Sequence, residues 1–378
     1  MKRIIIIVAC LFLISCKGGN HEDMGKEIKV DVAPENAIGN FDKYFDSSKV
    51  ISLETSAASL IGNINRISIF DNRIYILDRA TNSVFIFNWN GKFITKIHDI
   101  GVDKGKYIGI MDFAIDKASK RILVHTHRPY KLIYYNMEGK FLSETPLEGY
   151  YKNIDIPAKG KLLTINPTGS YTANVLDLNS GDKNEFIHKD AISEKFNFFS
   201  TVFPNVLNSL GTYVTVPYSP VIYKYSDDKI IPAYRINFGK KNMPDSLLDK
   251  NLPASDIYNE AMKNEYGFFI SNFRETKNFL VFSYGKNSIV VYSKKDGKAE
   301  SFSFIENKHD LIHFENLFGH DGNDDYILST RQAIFFKSQM NVYKSSPKDW
   351  AKVPPYIKAI DSTLNNNSNP VLIVYKLK

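Results

Sequence analysis

The chain has 378 residues and a formal net charge of +7, with a pI near 9.0. This length is compatible with one large all-β domain, and short runs of Tyr, Phe, Ile and Val favour strands. The basic residues are scattered through polar turns, such as those at Lys92 and Lys140, which excludes a typical nucleic-acid-binding pattern. Both cysteines, Cys10 and Cys16, lie near the N-terminus, so the rest of the chain has neither a disulfide nor a thiolate metal site.

The first predicted element is an N-terminal targeting segment. Residues 1–3 supply positive charge, residues 4–13 are apolar but too few to span a bilayer, and a small residue precedes Cys16. The pattern resembles a bacterial lipoprotein signal with its lipobox, which implies cleavage before Cys16 and lipid attachment to it. We therefore predict a signal peptide at 1–15 and a lipidated tether at 16–45, which anchors an outer-membrane lipoprotein on the periplasmic or cell-surface side. In the alternative interpretation the signal is an ordinary secretory one and Cys16 is incidental.

Two segments of the chain align without a gap at an offset of about 48 residues, a spacing typical of propeller blades. Residues 73–93 and 121–141 share six identical positions. Each unit predicts a strand, a polar turn, an aromatic-rich strand, an Asn-x-x-Gly-Lys-Phe turn and a further strand, and one more strand precedes each unit. The glycine of that turn, Gly91 or Gly139, provides the positive φ that a tight hairpin needs.

Weaker copies of this unit continue towards the C-terminus and bring the total to about six. A four-stranded blade cannot cover both of its faces alone, whereas blades stacked around an axis bury them. We therefore predict an all-β fold over residues 46–378, a six-bladed β-propeller of four-stranded antiparallel blades. The last unit lacks its outermost strand, and we expect residues 50–54 to supply it beside 371–377, so that the N-terminal strand closes the ring.

Two segments interrupt the blade pattern and are predicted as insertions with short helices. Residues 243–266 have apolar positions spaced for one face of a helix, with Ser255 or Asp256 as its N-cap, and we expect this helix to pack on a blade edge. Residues 331–367 place aromatic side chains among prolines and an Asn-rich tract, and they separate the last two strands of the final unit.

Two parts of the sequence carry a family resemblance. Residues 50–78, with an Ile-Tyr-Ile-Leu-Asp strand at 74–78, resemble the six-bladed, NHL-like propeller lipoproteins of Bacteroidetes, and so does the ending Asn-Pro-Val-Leu-Ile-Val-Tyr-Lys-Leu at 369–377. That family is largely of unknown function, so the resemblance implies architecture more than chemistry. Where the family often carries Gly-x-Gly-Pro-Gly-Glu-Tyr, this chain has Gly-Val-Asp-Lys-Gly-Lys-Tyr at 101–107, without the proline and the acidic residue.

Propeller geometry places the turns between second and third strands on the same face as the connections between blades. We call this the funnel face and the opposite one the hairpin face. Variable polar groups that converge on a funnel are expected at a ligand site, and cationic and tyrosine side chains suit an anionic or hydroxyl-rich ligand. The predicted ligand-binding residues are Arg79, His127, Arg128, Tyr218, Tyr284 and Arg331.

Other polar residues of the same face have structural interpretations. His125 and His127 point the same way along one strand and could share a metal, but no third ligand stands at a suitable spacing, so we predict no metal and no cofactor. Asp78 is expected to cap the neighbouring turn through its backbone amides.

Two main classes of function remain open. The first is a membrane-anchored, non-enzymatic binding or scaffold protein of the cell envelope, monomeric, with a glycan, a peptide or an envelope protein as partner. A sensor that reports to a membrane partner is a third, separate interpretation. No nucleophile elbow, Walker loop or His-Glu-x-x-His motif is present. The alternative is a funnel-face enzyme, a lyase or hydrolase acting on an extracellular polymer through Tyr218, His127 or Arg128.

Overall fold

The computed structural model of the protein describes residues 25–34, 36–189, 205–248, 252–285, 288–322 and 325–378. The predicted signal peptide, the predicted lipid site Cys16 and the first part of the predicted tether lie outside the described residues. The strands of the described chain form six blades around a central channel, as predicted.

The N-terminal elements are β1 (Lys26–Lys29), β2 (Ile38–Asn40), α1 (Phe41–Tyr44) and β3 (Phe45–Ser52). Blade 1 contains β4 (Arg66–Phe70), β5 (Arg73–Asp78), β6 (Ser83–Asn88) and β7 (Phe93–Ile97). Blade 2 contains β8 (Gly109–Asp116), β9 (Arg121–His127), β10 (Lys131–Asn136) and β11 (Phe141–Pro146). Blade 3 contains β12 (Asn153–Ala158), β13 (Lys161–Ile165), β14 (Tyr171–Asp177) and β15 (Lys183–His188).

Blade 4 contains β16 (Val206–Asn208), β17 (Thr212–Thr215), β18 (Val221–Ser226) and β19 (Lys229–Asn237). The first insertion follows, with a 3₁₀ turn (Gly239–Lys241), α2 (Asp245–Leu248) and α3 (Ala254–Lys263). Blade 5 contains β20 (Ser271–Glu275), β21 (Phe279–Tyr284), β22 (Ser288–Ser293) and β23 (Lys298–Phe302), and the short strands β24 (Phe304–Glu306) and β25 (His320–Asp321) come next. Blade 6 contains β26 (Tyr326–Arg331) and β27 (Val371–Leu377), separated by α4 (Ala333–Lys344), α5 (Pro347–Lys352) and α6 (Pro355–Thr363).

The ring closes where the two ends of the chain meet. β3 is the outermost strand of blade 6 and pairs in antiparallel register with β27, with Val50 opposite Ile373. A bridge between Phe318 and Leu328 supplies the inner position of this blade, and β25 pairs in parallel with β4 of blade 1. The predicted closure by the N-terminal strand is therefore confirmed, because β3 covers an edge that would otherwise stay unpaired.

Residues 25–34 and 36–45, which we call the N-terminal belt, run along the outer edges of blades 4 to 6. β1 pairs in parallel with β19, and β2 pairs in parallel with β24. The side chains of Phe41 and Tyr44 are buried. The segment predicted as a tether therefore packs on the propeller from residue 25 onward, because it offers apolar side chains and strand hydrogen bonds to otherwise bare blade edges.

Stacking of neighbouring blades buries the core. Six of the clusters of buried apolar side chains each lie between two adjacent blades, and together they follow the whole ring. Between blades 1 and 2, for example, Tyr75 and Ile86 pack with Phe113 and Val124. This arrangement explains the strands with apolar residues on both faces, since both faces of each blade are covered.

The insertions are helical. The helix expected in residues 243–266 is α3, but it begins at Ala254 after Pro253, so Ser255 and Asp256 lie in its first turn and neither is the N-cap. The second insertion forms α4 to α6, which pack on blade 6. No helix in the described part of the chain is both long and apolar enough to cross a membrane.

Candidate functional site

The central channel is crossed by one buried arginine that contacts three carboxylates from other strands. Arg66 on β4 donates through Nη1 to Asp112 Oδ2 at 2.6 Å and through Nε to Asp321 Oδ2 at 2.8 Å. Its Nη2 lies 3.8 Å from Asp155 Oδ1. These residues come from blades 1, 2 and 3 and from β25, so a single guanidinium links four separate parts of the ring.

Three carboxylates surround the guanidinium, and Lys117 lines the adjacent cavity. Burial and the nearby carboxylate of Asp321 raise the pKa of Asp155 to about 6. Burial opposes the charge of Arg66, but Asp112 and Asp321 outweigh it and raise the pKa of the guanidinium. The cavity beside the cluster measures about 10 Å³, which is room for about one water molecule. The cluster is therefore a structural device, and a ligand site has to be sought nearer the surface.

Two cations lie at the mouth of the funnel, above this cluster. Arg79, just after β5, donates through Nε to the carbonyl oxygen of Met111 at 2.7 Å. Lys152, just before β12, donates through Nζ to Asn205 Oδ1 at 2.7 Å. Burial and the charge of Arg79 lower the pKa of Lys152 to about 8. We call Arg79, Lys152 and Asn205 the funnel mouth.

The funnel mouth brings two cations into electrostatic contact, since the charge of Arg79 lowers the pKa of Lys152. Within the described residues Arg79 forms no ion pair with a carboxylate, and its guanidinium contacts the neutral carbonyl oxygen of Met111. Lys152 is 9% exposed, and the carboxylate of Asp112 partly offsets the effects of burial and of Arg79 on its pKa. Two neighbouring cations repel each other, and an anion that binds beside them offsets this repulsion. Lys152 was not among the predicted residues, because its sequence context is an ordinary connection between blades; only its position before an inner strand could have indicated it.

His127 and Arg79 both lie near the beginning of β8. His127 ends β9 and pairs with Gly109 at the start of β8, whereas Arg79 contacts Met111 two residues further along the same strand. Arg128 follows His127 and is exposed. These three predicted residues therefore border the beginning of β8 on the funnel face.

The two predicted tyrosines lie elsewhere, under the first insertion and the N-terminal belt. Tyr218 is 6% exposed and its ring stacks on Phe268, with 5.5 Å between centroids. Tyr284 is 3% exposed; its ring packs on Phe238 and its hydroxyl accepts a hydrogen bond from the Ala33 N–H at 3.3 Å. Both tyrosines lie at strand ends on the funnel side of their blades. Distant chain segments cover them, so neither lines the open funnel.

Arg331 and His125 are not available to a ligand either. Arg331 ends β26, and its guanidinium is paired with Glu315 at 2.7 Å and contacts Gln339 of α4. His125 is fully buried near the rings of Tyr130 and Tyr151, and burial lowers its pKa to about 4. It is therefore a neutral core side chain that cannot share a solvent-facing metal with its neighbour.

The remaining polar residues concern metal binding and the turn after Asp78. Among the residues that the structure describes, no group of three His, Cys, Asp or Glu side chains could hold a metal ion. Asp78 caps the turn that follows it, as predicted: its Oδ1 accepts the Ala80 N–H at 2.9 Å, and its Oδ2 accepts the Gly62 N–H at 2.7 Å.

The closed ring of six blades, with a channel plugged by ionic contacts and a polar funnel, defines the class of the protein as a six-bladed β-propeller. Residues 26–376 match the family described as Domain of unknown function (DUF4934), and the chain belongs to that family. The match begins within the N-terminal belt, which agrees with the packing of this segment on the blades.

Comparison with solved structures finds several similar chains. A Bacteroides fragilis protein described as exported is 18% identical, with a TM-score of 0.73 over 93% of this chain and 99% of that one. A member of the DUF4221 family from Bacteroides vulgatus is 11% identical, with a TM-score of 0.45 over 91% and 99%. A virginiamycin B lyase from Staphylococcus aureus is 14% identical, with a TM-score of 0.42 over 75% and 81%. No curated protein matches the sequence.

Proposed function

We propose that this protein is a non-enzymatic binding or scaffold lipoprotein of the cell envelope, whose funnel mouth holds an anionic group of a glycan, a peptide or a partner protein. The observation that carries the proposal is Arg79, a partly exposed cation at the funnel mouth whose guanidinium contacts a neutral carbonyl oxygen and whose charge acts on the buried Lys152. His127 and Arg128 lie beside the same strand and extend the positive surface.

Polymer binding tests the funnel mouth. Purified protein is presented with immobilised polygalacturonate and, as an uncharged comparison, dextran. We expect binding to polygalacturonate that weakens as salt rises, and a loss of about tenfold in affinity for Arg79→Ala, since a charge-assisted hydrogen bond contributes about 1.5–3 kcal/mol.

The matched controls are Lys92→Ala and Lys140→Ala, which remove equal charge from the hairpin face. They should bind as the wild type does. If the Arg79 and Lys92 variants lose affinity equally, the binding depends only on the net charge of the protein. If only the hairpin-face variants lose affinity, the site lies on the opposite face.

The proposed membrane location rests on the N-terminal signal pattern and agrees with the exported Bacteroides protein that has the same fold. In a Bacteroidetes host, the wild type should incorporate labelled palmitate and sediment with outer membranes. Cys16→Ala should lose both properties. Protease treatment of intact cells then distinguishes the cell surface from the periplasm. If the wild-type protein is unlabelled and found in the soluble fraction, the proposal is contradicted and the N-terminal segment is an ordinary secretory signal.

A funnel-face enzyme is the second candidate, and one observation favours it. A lysine whose pKa is about 8 is in the range of general bases. Lys152→Arg separates the two functions, because arginine retains the positive charge but cannot act as a base near neutral pH. Turnover of a glycan panel that Lys152→Arg abolishes, with binding retained, would establish the enzyme; a panel without turnover favours the binding protein.

A further inference from the structure

A pocket of about 400 Å³ opens on the hairpin face beside the channel, and we call it the hairpin-face pocket. This volume falls within the usual range of small-molecule sites. The lining comes from blades 1 and 6 and from the turn after β8. It includes Phe70, Asp71, Asn72, Trp89, Lys117 and Tyr326.

The turn between β4 and β5 forms one side of the hairpin-face pocket in a fixed conformation. Asp71 and Asn72 have φ values of 51° and 54°, and a two-residue type I′ hairpin requires positive φ at both positions. The Trp89 N–H donates to the carbonyl oxygen of Asn72 at 2.9 Å, which joins this turn to the turn between β6 and β7. The wall is therefore in place before a ligand binds.

Aromatic side chains that remain partly accessible form another side. The ring centroids of Trp89 and Tyr326 are 5.8 Å apart and the rings are inclined by 39°, so they are not stacked face to face. Lys49 of β3 helps to hold the indole, with its Nζ 5.8 Å from the Trp89 ring centroid. Both aromatic side chains are half-buried and line the pocket, where they offer flat apolar surface with a polar edge.

The polar groups of the pocket include both donors and acceptors. Asp71 and Asn72 are exposed, and within the described residues their side chains form no ion pair or hydrogen bond. Lys117 donates through Nζ to Asn208 Oδ1 at 2.9 Å and also lines the small cavity beside the Arg66 cluster. The described lining thus holds one carboxylate and one ammonium group, a balance that favours neither anions nor cations.

We propose that the hairpin-face pocket is a second ligand site, separate from the funnel mouth, for an uncharged pyranose unit of a saccharide. A pyranose ring has a flat C–H face with a rim of hydroxyl groups, which matches aromatic surface bordered by donors and acceptors. The C–H face packs on Trp89 and Tyr326. The hydroxyl groups donate to the carboxylate of Asp71 and accept from the ammonium group of Lys117.

The fluorescence of Trp89 tests this inference, because Trp350 is the only other tryptophan of the chain and Trp350→Phe leaves a single indole at the pocket. Cellotetraose, maltotetraose and N-acetylchitotetraose are titrated into this variant. At least one of them should change the Trp89 emission saturably and protect it from quenching by acrylamide. Sorbitol, a polyol without a ring, should do neither. Since the ligand is uncharged, its affinity should not fall with salt, unlike binding at the funnel mouth.

In the same background, Asp71→Asn should weaken saccharide binding about tenfold, because it removes a charged acceptor and keeps a residue that tolerates positive φ. Asp227→Asn is the matched control. Asp227 is exposed and has a φ of 48° in the hairpin turn between β18 and β19 of blade 4, and its variant should titrate as the parent does. Thermal unfolding confirms that each variant is folded.

The proposal is overturned if none of the three saccharides alters the Trp89 emission, or if sorbitol alters it equally. It is also overturned if Asp71→Asn binds no more weakly than Asp227→Asn. Arg79→Ala should bind these saccharides as the parent does, so the hairpin-face pocket and the funnel mouth fail independently.

Discussion

At the scale of single residues, the charge balance in the channel depends on Arg66. Its guanidinium is 1% exposed and is the cation nearest to the carboxylates of Asp112, Asp155 and Asp321. A buried ion pair adds little net stability, but removal of one partner leaves uncompensated charge in a low-dielectric site. The arginine is thus required by the carboxylates around it.

Arg66→Met should therefore destabilise the protein by about 3–5 kcal/mol in urea unfolding at pH 7. Lys106→Met is the control, because the ion pair of Lys106 with Asp103 is exposed to solvent and such pairs contribute little to stability. Equal losses for the two variants would show that the channel cluster does not depend on its central cation.

His125 gives the stability a predictable pH dependence. Its pKa is about 4 in the folded protein and 6.5 when exposed, so the unfolded chain binds the proton more readily. The contribution of His125 to the free energy of unfolding is fully present above pH 6.5 and is lost as the pH falls towards 4. The difference corresponds to about 3 kcal/mol.

His125→Phe should remove this part of the pH dependence of the unfolding free energy. The control is His188→Gln, since His188 is exposed and its replacement should leave the pH profile unchanged. An unaltered slope between pH 6.5 and 4 in His125→Phe would mean that His125 already accepts a proton in the folded state.

At the scale of elements, the N-terminal belt belongs to the propeller. Beyond its two strand pairs, the Ser301 hydroxyl donates to the Asp31 carbonyl oxygen, and Phe41 packs with Phe45 and Tyr375. A flexible tether would contribute nothing to the core. The belt packs on the blades from residue 25 onward, and the predicted lipid site Cys16 precedes it by nine residues of sequence.

Phe41→Ala should test this packing by destabilising the protein by about 3–5 kcal/mol, the usual cost of truncating a buried phenylalanine. Asp46→Ala changes an exposed residue nearby and should have little effect in the same urea titration. A wild-type midpoint for Phe41→Ala would mean that the belt is detached in solution.

At the scale of the whole molecule, β3 holds the ring closed by joining two distant parts of the chain. Ser47 and Lys376 are register partners in this closure, and both are exposed. The chain from residue 17 onward contains no cysteine, so a pair introduced here has no competing partner.

Ser47→Cys combined with Lys376→Cys, in a chain that starts at residue 17, should form a disulfide and stabilise the protein by about 4 kcal/mol, because the bond closes a long loop in the unfolded state. Reduction should return the urea midpoint to the wild-type value. Each single variant serves as a control. Failure of the two thiols to pair under oxidising conditions would contradict the closure.

The sequence by itself determined the blades and their closure. Strand alternation and the Asn-x-x-Gly-Lys-Phe turns at Gly91 and Gly139 are local signals, and the missing outer strand of the last unit indicated β3. Only the tertiary structure decided which polar residues remain accessible. Tyr218 and Tyr284 have the sequence context of funnel residues, yet an insertion and the belt bury them. Lys152 and Arg66 acquire their surroundings from several blades, and burial and charge depend on such distant contacts, which no local pattern encodes.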